Sequence, residues 1–271
     1  MSFAKDSKLQ IIETDIEDAD CGQAFLSGLL HACGTITKNA EGIRLDVVTD
    51  FKEVFEFLNR LVNRLYGQKL SLEISDDYII NKTTYYRIKF PYDISLQVLK
   101  DCSLISQNGE LSFVAEIDNN LVADDETKKS FIKGAYVGCA TSSIKLSELG
   151  SASPTTGYHV EFSSHKLEFL QGLQGLLQYF DITSKIALRK KVYVLYLKDS
   201  EAIKDLLALV GAQQSVLDLS DEMAKRDLRN TVNRQVNCIN ANINKTVEAS
   251  LKQIQAINYI NKKIGLESLP E

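Results

Sequence analysis

Phe25-Leu-Ser-Gly-Leu-Leu-His-Ala-Cys-Gly-Thr35 recurs 106 residues later as Phe131-Ile-Lys-Gly-Ala-Tyr-Val-Gly-Cys-Ala-Thr141. Gly28 aligns with Gly134, Ala32 with Gly138, Cys33 with Cys139 and Thr35 with Thr141. Small residues four apart on a helix leave a groove that a second helix backbone can enter. An interior glycine costs a helix roughly 1 kcal/mol against alanine, so glycines at equivalent places in two segments call for a packing reason. The pattern predicts two helices packed on each other through Gly28, Ala32, Gly134 and Gly138.

The repeat runs on past these helices. Gly42-Ile-Arg-Leu-Asp-Val-Val alternates apolar and polar residues and predicts a strand with Ile43, Leu45 and Val47 turned inward. Apolar residues then recur at helical spacing from Phe51 to Leu65. Leu70-Ser-Leu-Glu-Ile and Tyr85-Tyr-Arg-Ile-Lys-Phe alternate again, with Asn81-Lys82 as a turn between them and residues 93–106 as a closing helix. The second copy answers with Gly157-Tyr-His-Val-Glu-Phe, a helix over Leu167 to Phe180, strands at Lys185-Ile-Ala-Leu-Arg and Val192-Tyr-Val-Leu-Tyr-Leu, and a helix over Ala202 to Leu209. Elements repeated in this order at a nearly fixed offset mark a duplicated unit. The acids Glu13, Asp15, Glu17, Asp18 and Asp20 precede the first glycine helix, where they favour its dipole; that accounts for them without a metal. Residues 20–210 are therefore expected to be two pseudo-symmetric halves of one α+β domain, joined by the acidic segment Asn119 to Lys129.

Residues 216–271 differ. They are helical in pattern, short of aromatics and rich in asparagine, and between Asp221 and Lys263 eight basic residues face four acidic ones. Asn244 is placed to cap a helix carrying Val247, Leu251, Ile254, Ile257 and Ile264, which Gly265 and Pro270 then stop. Spacings of four, three and four put Arg226, Asn230, Asn233 and Asn237 on one helical face, and arginine and asparagine both contact phosphates and base edges. With Arg229, Arg234 and Lys245 these are the candidate DNA-binding residues. The asparagines serve equally as caps and backbone ligands. The expected boundaries are 1–118 for an N-terminal extension and the first half, 119–215 for the linker and second half, and 216–271 for the helical module.

A formal charge of −5 argues against a chain that coats nucleic acid or an anionic membrane over its whole surface, so any such contact is local. The five cysteines are dispersed and odd in number, which fits reduced thiols in a cytoplasm, and with the three histidines they make no metal-ligand spacing. No signal peptide and no apolar stretch of spanning length is present, so the expected location is cytoplasmic, with no membrane partner.

A duplicated unit with a glycine-bearing helix at the start of each half resembles the LAGLIDADG homing-endonuclease fold. Within that superfamily, Arg229-Asn-Thr-Val-Asn-Arg-Gln-Val-Asn-Cys-Ile-Asn-Ala-Asn-Ile-Asn-Lys-Thr246, Gln253-Ile-Gln-Ala-Ile and Gly265-Leu-Glu-Ser-Leu-Pro look like the WhiA family of bacterial regulators. The resemblance implies a duplicated LAGLIDADG-type α+β domain. Each half reads helix-strand-strand-helix-strand-strand-helix, and an all-α module that begins a helix-turn-helix domain follows. It also implies a DNA-binding transcriptional regulator, nucleoid-associated, acting in cell division, chromosome segregation and sporulation. The family's helix-turn-helix continues beyond Pro270, so its recognition helix is expected to lie outside this sequence. An alternative is a protein-interaction scaffold, with DNA binding confined to that further segment.

In nucleases of the superfamily each glycine helix ends in an acid that holds a divalent metal. Threading the motif onto residues 26–34 and 132–140 puts Cys33 and Cys139 at those places, so no catalysis, no metal and no cofactor are expected. A neutral thiol cannot hold magnesium against water; the two read as small apolar fillers, a disulfide between them being the sharper alternative. If apolar strand faces meet the helices, the outward sheet face carries the bases Arg44, Arg87, Lys89, Lys185 and Arg189 against the acids Asp46, Glu73 and Glu161. That is a weak field for duplex DNA. Val192, Val194 and Tyr196 add an apolar patch on the same face, suited to a protein partner.

Overall fold

The two glycine segments cross backbone to backbone. The computed structural model of the 271-residue chain describes residues 3–40, 42–80, 83–105, 113–144, 146 and 157–265. Helices α2 (Ala19–Cys33) and α5 (Asp125–Cys139) pack together along their length. A Cβ at Gly28 would land on the carbonyl oxygen of Phe131, and one at Gly134 on that of Phe25. At Gly138 it would meet the Ala32 Cβ at 2.7 Å. The helices are locked at this distance, and Phe25, Leu26, Leu29, Leu30, Phe131 and Ile132 are buried around the crossing. Each such side chain contributes roughly 2 kcal/mol of burial. Both helices begin on aspartates: Asp18 accepts from the Cys21 N–H at 2.8 Å, and Asp124 makes a capping box with Thr127.

Each half continues identically. In the first, α2 runs straight into β1 (Gly34–Asn39), followed by β2 (Gly42–Thr49), α3 (Glu53–Tyr66), β3 (Ser71–Ile80), β4 (Thr83–Lys89) and α4 (Tyr92–Asp101). In the second, α5 leads to β5 (Ala140–Ser142), β6 (Val160–Ser164), α6 (Leu167–Tyr179), β7 (Lys185–Arg189), β8 (Val192–Leu197) and α7 (Ser200–Leu209). The antiparallel sheets have matching orders, β1-β2-β4-β3 and β5-β6-β8-β7. Leu45 and Val47 point inward as expected and are fully buried, with Val160, Phe162, Leu195 and Leu197 matching them in the second sheet.

Several expectations need correction. The closing helix of the first half stops at Asp101, not 106, because Ser103 takes a positive φ of 53° and turns the chain. The N-terminal extension contains α1 (Phe3–Glu13), whose Ser7 shares a hydrogen bond of 2.9 Å with the Tyr136 hydroxyl on α5. The polar segment after Asn119 gives way to α5 at Asp125. The turn expected at Asn81-Lys82, and Pro270, lie outside the described residues. Asn244 caps nothing: it sits inside α8 (Gln213–Ile264), one unbroken helix of 52 residues. Gly265, at φ 74°, ends that helix as the sequence suggested. The first turn of α8 is instead satisfied by Gln10 of α1, whose side-chain oxygen accepts from the N–H groups of Gln214 at 2.9 Å and Ser215 at 3.2 Å. The chain forms two compact units, Met1–Ser220 and Asp221–Glu271.

Candidate nucleic-acid interface

Cys33 and Cys139 are the last residues of α2 and α5, so the repeat places them equivalently. Each thiol turns back on its own helix, donating to the carbonyl four residues earlier: Cys33 to Leu29 at 3.3 Å and Cys139 to Ala135 at 3.5 Å. Burial pushes both thiols up to about 12, so they are neutral donors at physiological pH. Two lysines that the sequence did not single out stand nearby. Lys8 of α1 has its pKa lowered by burial and feels Asp50, Cys139 and Cys33. Lys166, at the start of α6, is lowered to about 8 by burial and feels Cys33. Ammonium groups thus stand beside the helix ends where the resemblance puts a cation and its carboxylates. Among the described residues no group of three or more His, Cys, Asp and Glu is placed to hold a metal.

On the outward sheet face, the parity of the strands places the candidate bases as expected, since Asp46 pairs with Lys89, Val48 with Arg87, and Lys185 with Tyr196. What sequence did not give is their pairing. The carboxylate of Asp46, itself 1% exposed, lies 3.1 Å from Arg44 and 3.6 Å from Arg87. Lys89 binds Glu73, and this contact holds the Glu73 carboxyl below its usual range. Arg189 and His159 both reach Glu161 at 2.8 Å. Of the five bases only Lys185 makes no ion pair among the described residues. Positive charge on this face is therefore largely cancelled before any phosphate arrives. The apolar patch expected here is also reduced. Val194 is buried at 3% exposure, and Tyr196 is flanked by Arg189 at 5.7 Å, Lys198 at 5.2 Å and His159 at 5.8 Å from its ring.

Helix α8 carries the other candidates. Asn230, Asn233, Arg234, Asn237 and Lys245 are all exposed along it. Arg229 is engaged, its guanidinium 3.1 Å from Glu222, and Arg226 is also partnered. With 3.6 residues per turn, Arg226, Asn230, Asn233 and Asn237 fall on one side of the helix, and Asn244 continues the same line. Leu228, Val232, Val236, Ile239, Ile243 and Val247 fall on the other side and are exposed as well, at 46–66%. The helix thus offers two chemically different faces, one polar and basic and one apolar. No helix among the described residues is long and apolar enough to cross a membrane.

Comparison with known proteins bears on both parts. The family model described as the WhiA LAGLIDADG-like domain matches residues 22–87 and 129–229, and that of the WhiA C-terminal HTH domain matches residues 232–271. A Bacillus velezensis relative named "Probable cell division protein WhiA" is 34% identical over 271 residues, covering 100% of this chain and 82% of that protein. A relative of the same name from Thermoanaerobacter pseudethanolicus is 33% identical over 273 residues, covering 100% of this chain and 83% of that protein. The crystal structure of full-length WhiA from Thermatoga maritima superposes with a TM-score of 0.69 at 20% identity, over 100% of this chain and 83% of that one. That of an N-terminal LAGLIDADG domain of WhiA superposes at 0.57 and 16% identity, over 78% and 90%. The fold is therefore the duplicated LAGLIDADG-like α+β domain followed by a helical region that opens a helix-turn-helix domain.

Proposed function

Since the chain belongs to the WhiA family, we propose that it is a non-catalytic, DNA-binding regulator of transcription that works at the nucleoid in cell division, chromosome segregation and sporulation. The observation that carries this reading is the coincidence of the helix-turn-helix match, over residues 232–271, with the exposed asparagine and basic side of α8. Asn233, Arg234, Asn237 and Lys245 are the proposed contacts inside that match, with Arg226, Arg229 and Asn230 just ahead of it. Absence of catalysis is supported by the neutral thiols at both helix ends and by the ammonium groups of Lys8 and Lys166 beside them. The outward sheet face has a lesser share in binding, because its bases already hold acids.

The test is the salt dependence of duplex binding, read by fluorescence anisotropy. Replacing Arg234 and Lys245 together by alanine is expected to cost at least roughly tenfold in affinity and to reduce the slope of log K against log salt by about 2. Replacing Lys185 and Arg189 is expected to change affinity less than about threefold, one of the pair being already neutralised. The reverse ranking would move DNA recognition to the sheets. If neither pair matters, the scaffold reading takes its place, which the exposed apolar side of α8 favours.

A further inference from the structure

Two cavities flank the ends of the central helices at equivalent places in the repeat. One borders Gly34 and Thr35 just after α2, the other Ala140 and Thr141 just after α5. They are equivalent in position and differ in charge balance. The smaller, about 130 Å³, holds Lys5 and Lys8 together with the carboxylate of Asp50, and Lys5 lies over the Phe51 ring at 4.8 Å. The larger, about 460 Å³, is lined by Lys38 and Lys166 with Phe113, Ile36 and Ile43, and no carboxylate borders it among the described residues. Among the described residues its two cations therefore share the lining with no acid.

The lining has a division of labour. The Lys166 ammonium stands 3.1 Å from the centroid of the Phe113 ring, and His31 meets that ring in an edge contact at 6.0 Å between centroids. His31 adds no charge, since burial lowers its pKa to about 4. Lys38 stands exposed on β1. Ile36 and Ile43 supply an apolar part of the lining. A cavity of this size lies in the range of small-molecule sites, which combine an apolar lining with a few placed polar groups. Its charged groups among the described residues are both positive, with the Thr35 hydroxyl as a neutral polar group.

Strand register separates this cavity from the outward sheet face. Ile36 pairs with the buried Leu45, and Lys38 with Ile43, on the side turned to the helices; Thr37 and Arg44 are turned the other way. The occupant must be small, must carry at least one negative charge for the two ammonium groups, and must bring a flat or apolar body for the isoleucines. We propose that the Lys38–Lys166–Phe113 cavity is a binding site for a free mononucleotide, its phosphate held by the two lysines and its base by Ile36, Ile43 and the Phe113 edge. The site is independent of whether α8 binds DNA.

Calorimetry and thermal shift on the full chain test this with AMP and GMP as probes. Adenosine, inorganic phosphate and a short duplex serve as the arms that separate the parts of the ligand. A mononucleotide is expected to bind at least tenfold more tightly than adenosine or phosphate alone. Lys166→Met and Lys38→Met are each expected to weaken it at least tenfold, whereas Lys185→Met on the outward face leaves it unchanged. Should Lys166→Met fail to fold, Lys38→Met decides, because its side chain is exposed. The proposal is overturned by absence of nucleotide binding, by binding that survives both substitutions, by adenosine binding as well as AMP, or by duplex DNA displacing the nucleotide.

Discussion

Adding one methyl group at Gly134 tests the central helix crossing most directly. The new Cβ would come within 2.0 Å of the Phe25 carbonyl oxygen and 2.9 Å of the Leu29 nitrogen. Both obstacles are backbone, so no side-chain rotation relieves them, and α2 and α5 must move apart by about 1 Å or more. A gap of that size forfeits a quarter to a half of the dispersion energy of each contact across it. Overpacking of a core costs about 1–3 kcal/mol, and the unyielding obstacle places this case at the upper end. Alanine's better helix propensity returns roughly 1 kcal/mol. The net expectation for Gly134→Ala is a loss of about 2 kcal/mol, or about 4–8 °C in the melting of the Met1–Ser220 unit. Gly175, inside α6, is the internal control: nothing lies within 4 Å of its added Cβ, so Gly175→Ala keeps the propensity gain and is expected to stabilise by up to roughly 1 kcal/mol. Gly28→Ala should match Gly134→Ala, and the double variant should cost less than the sum, since one separation relieves both clashes. Urea unfolding of the four variants gives the comparison. If Gly134→Ala is as stable as Gly175→Ala, the crossing is not as tight as the structure has it and the two-fold spine argument fails.

Other expectations follow from the buried titrating groups. His31 donates through Nδ1 to the Ser27 carbonyl at 2.9 Å and is held near pKa 4 by burial, against 6.5 when unfolded. The unfolded chain therefore binds more protons between those values, so stability rises with pH across the window and about 3 kcal/mol is lost on acidification from pH 7 to below 4. His31→Gln should flatten that part of the pH profile, and an NMR titration of His31 near its ordinary pKa would refute the assignment. With an aromatic disulfide reagent at pH 8, Cys238 is expected to react at once, being exposed, while Cys33, Cys102 and Cys139 react only as the fold opens. Ready formation of a Cys33–Cys139 disulfide would overturn the reading of both thiols as packing groups. Restoring acids, as Cys33→Asp with Cys139→Asp, should destabilise by a few kcal/mol without rescue by magnesium, because Lys8 and Lys166 already supply the local positive charge. A magnesium-dependent rise in melting temperature would show that the ammonium groups do not displace a metal.

The glycine crossing was legible because its signal is local and stated twice, so that each copy confirms the period of the other. Strand faces were legible for a similar reason: alternation fixes parity, and parity put Arg44, Arg87, Lys89, Lys185 and Arg189 on the outward face. Parity says nothing of partners across strands, and the ion pairs of Asp46 and Glu161 are what set the charge of that face. Nor does it give depth. Val194 faces outward by register and is nonetheless covered, with Ser163 and Ala187 opposite it. Helix α1 escaped notice because only Phe3, Ile11 and Ile12 of its apolar residues are buried, and its other inward residue is Ser7, whose place is justified by Tyr136, 129 residues away. Asn244 misled for a different reason: asparagine is a good cap and only a mildly poor helix former, so a strong flanking pattern carries the helix through it. The nucleotide cavity had no sequence signal at all, since it joins β1, Phe113 and Lys166 from segments that only the fold brings together.

The glycines and the helix-end residues answer to different physical demands, which is why one set can persist where the other has changed. Gly28 and Gly134 are required by the distance between two backbones, whatever the domain does. A carboxylate at Cys33 or Cys139 has no such support. It would place negative charge at the last turn of a helix, against the dipole, among carbonyls already accepting from the thiols. Only a bound cation repays that cost, and a cysteine avoids it by donating to the same carbonyls. Once the helix ends are neutral, lysines can stand beside them: in one half Lys8 finds Asp50, and in the other Lys166 finds only an aromatic ring. The charge beside α2 is thus left unbalanced among the described residues. It makes the place suited to holding a phosphate.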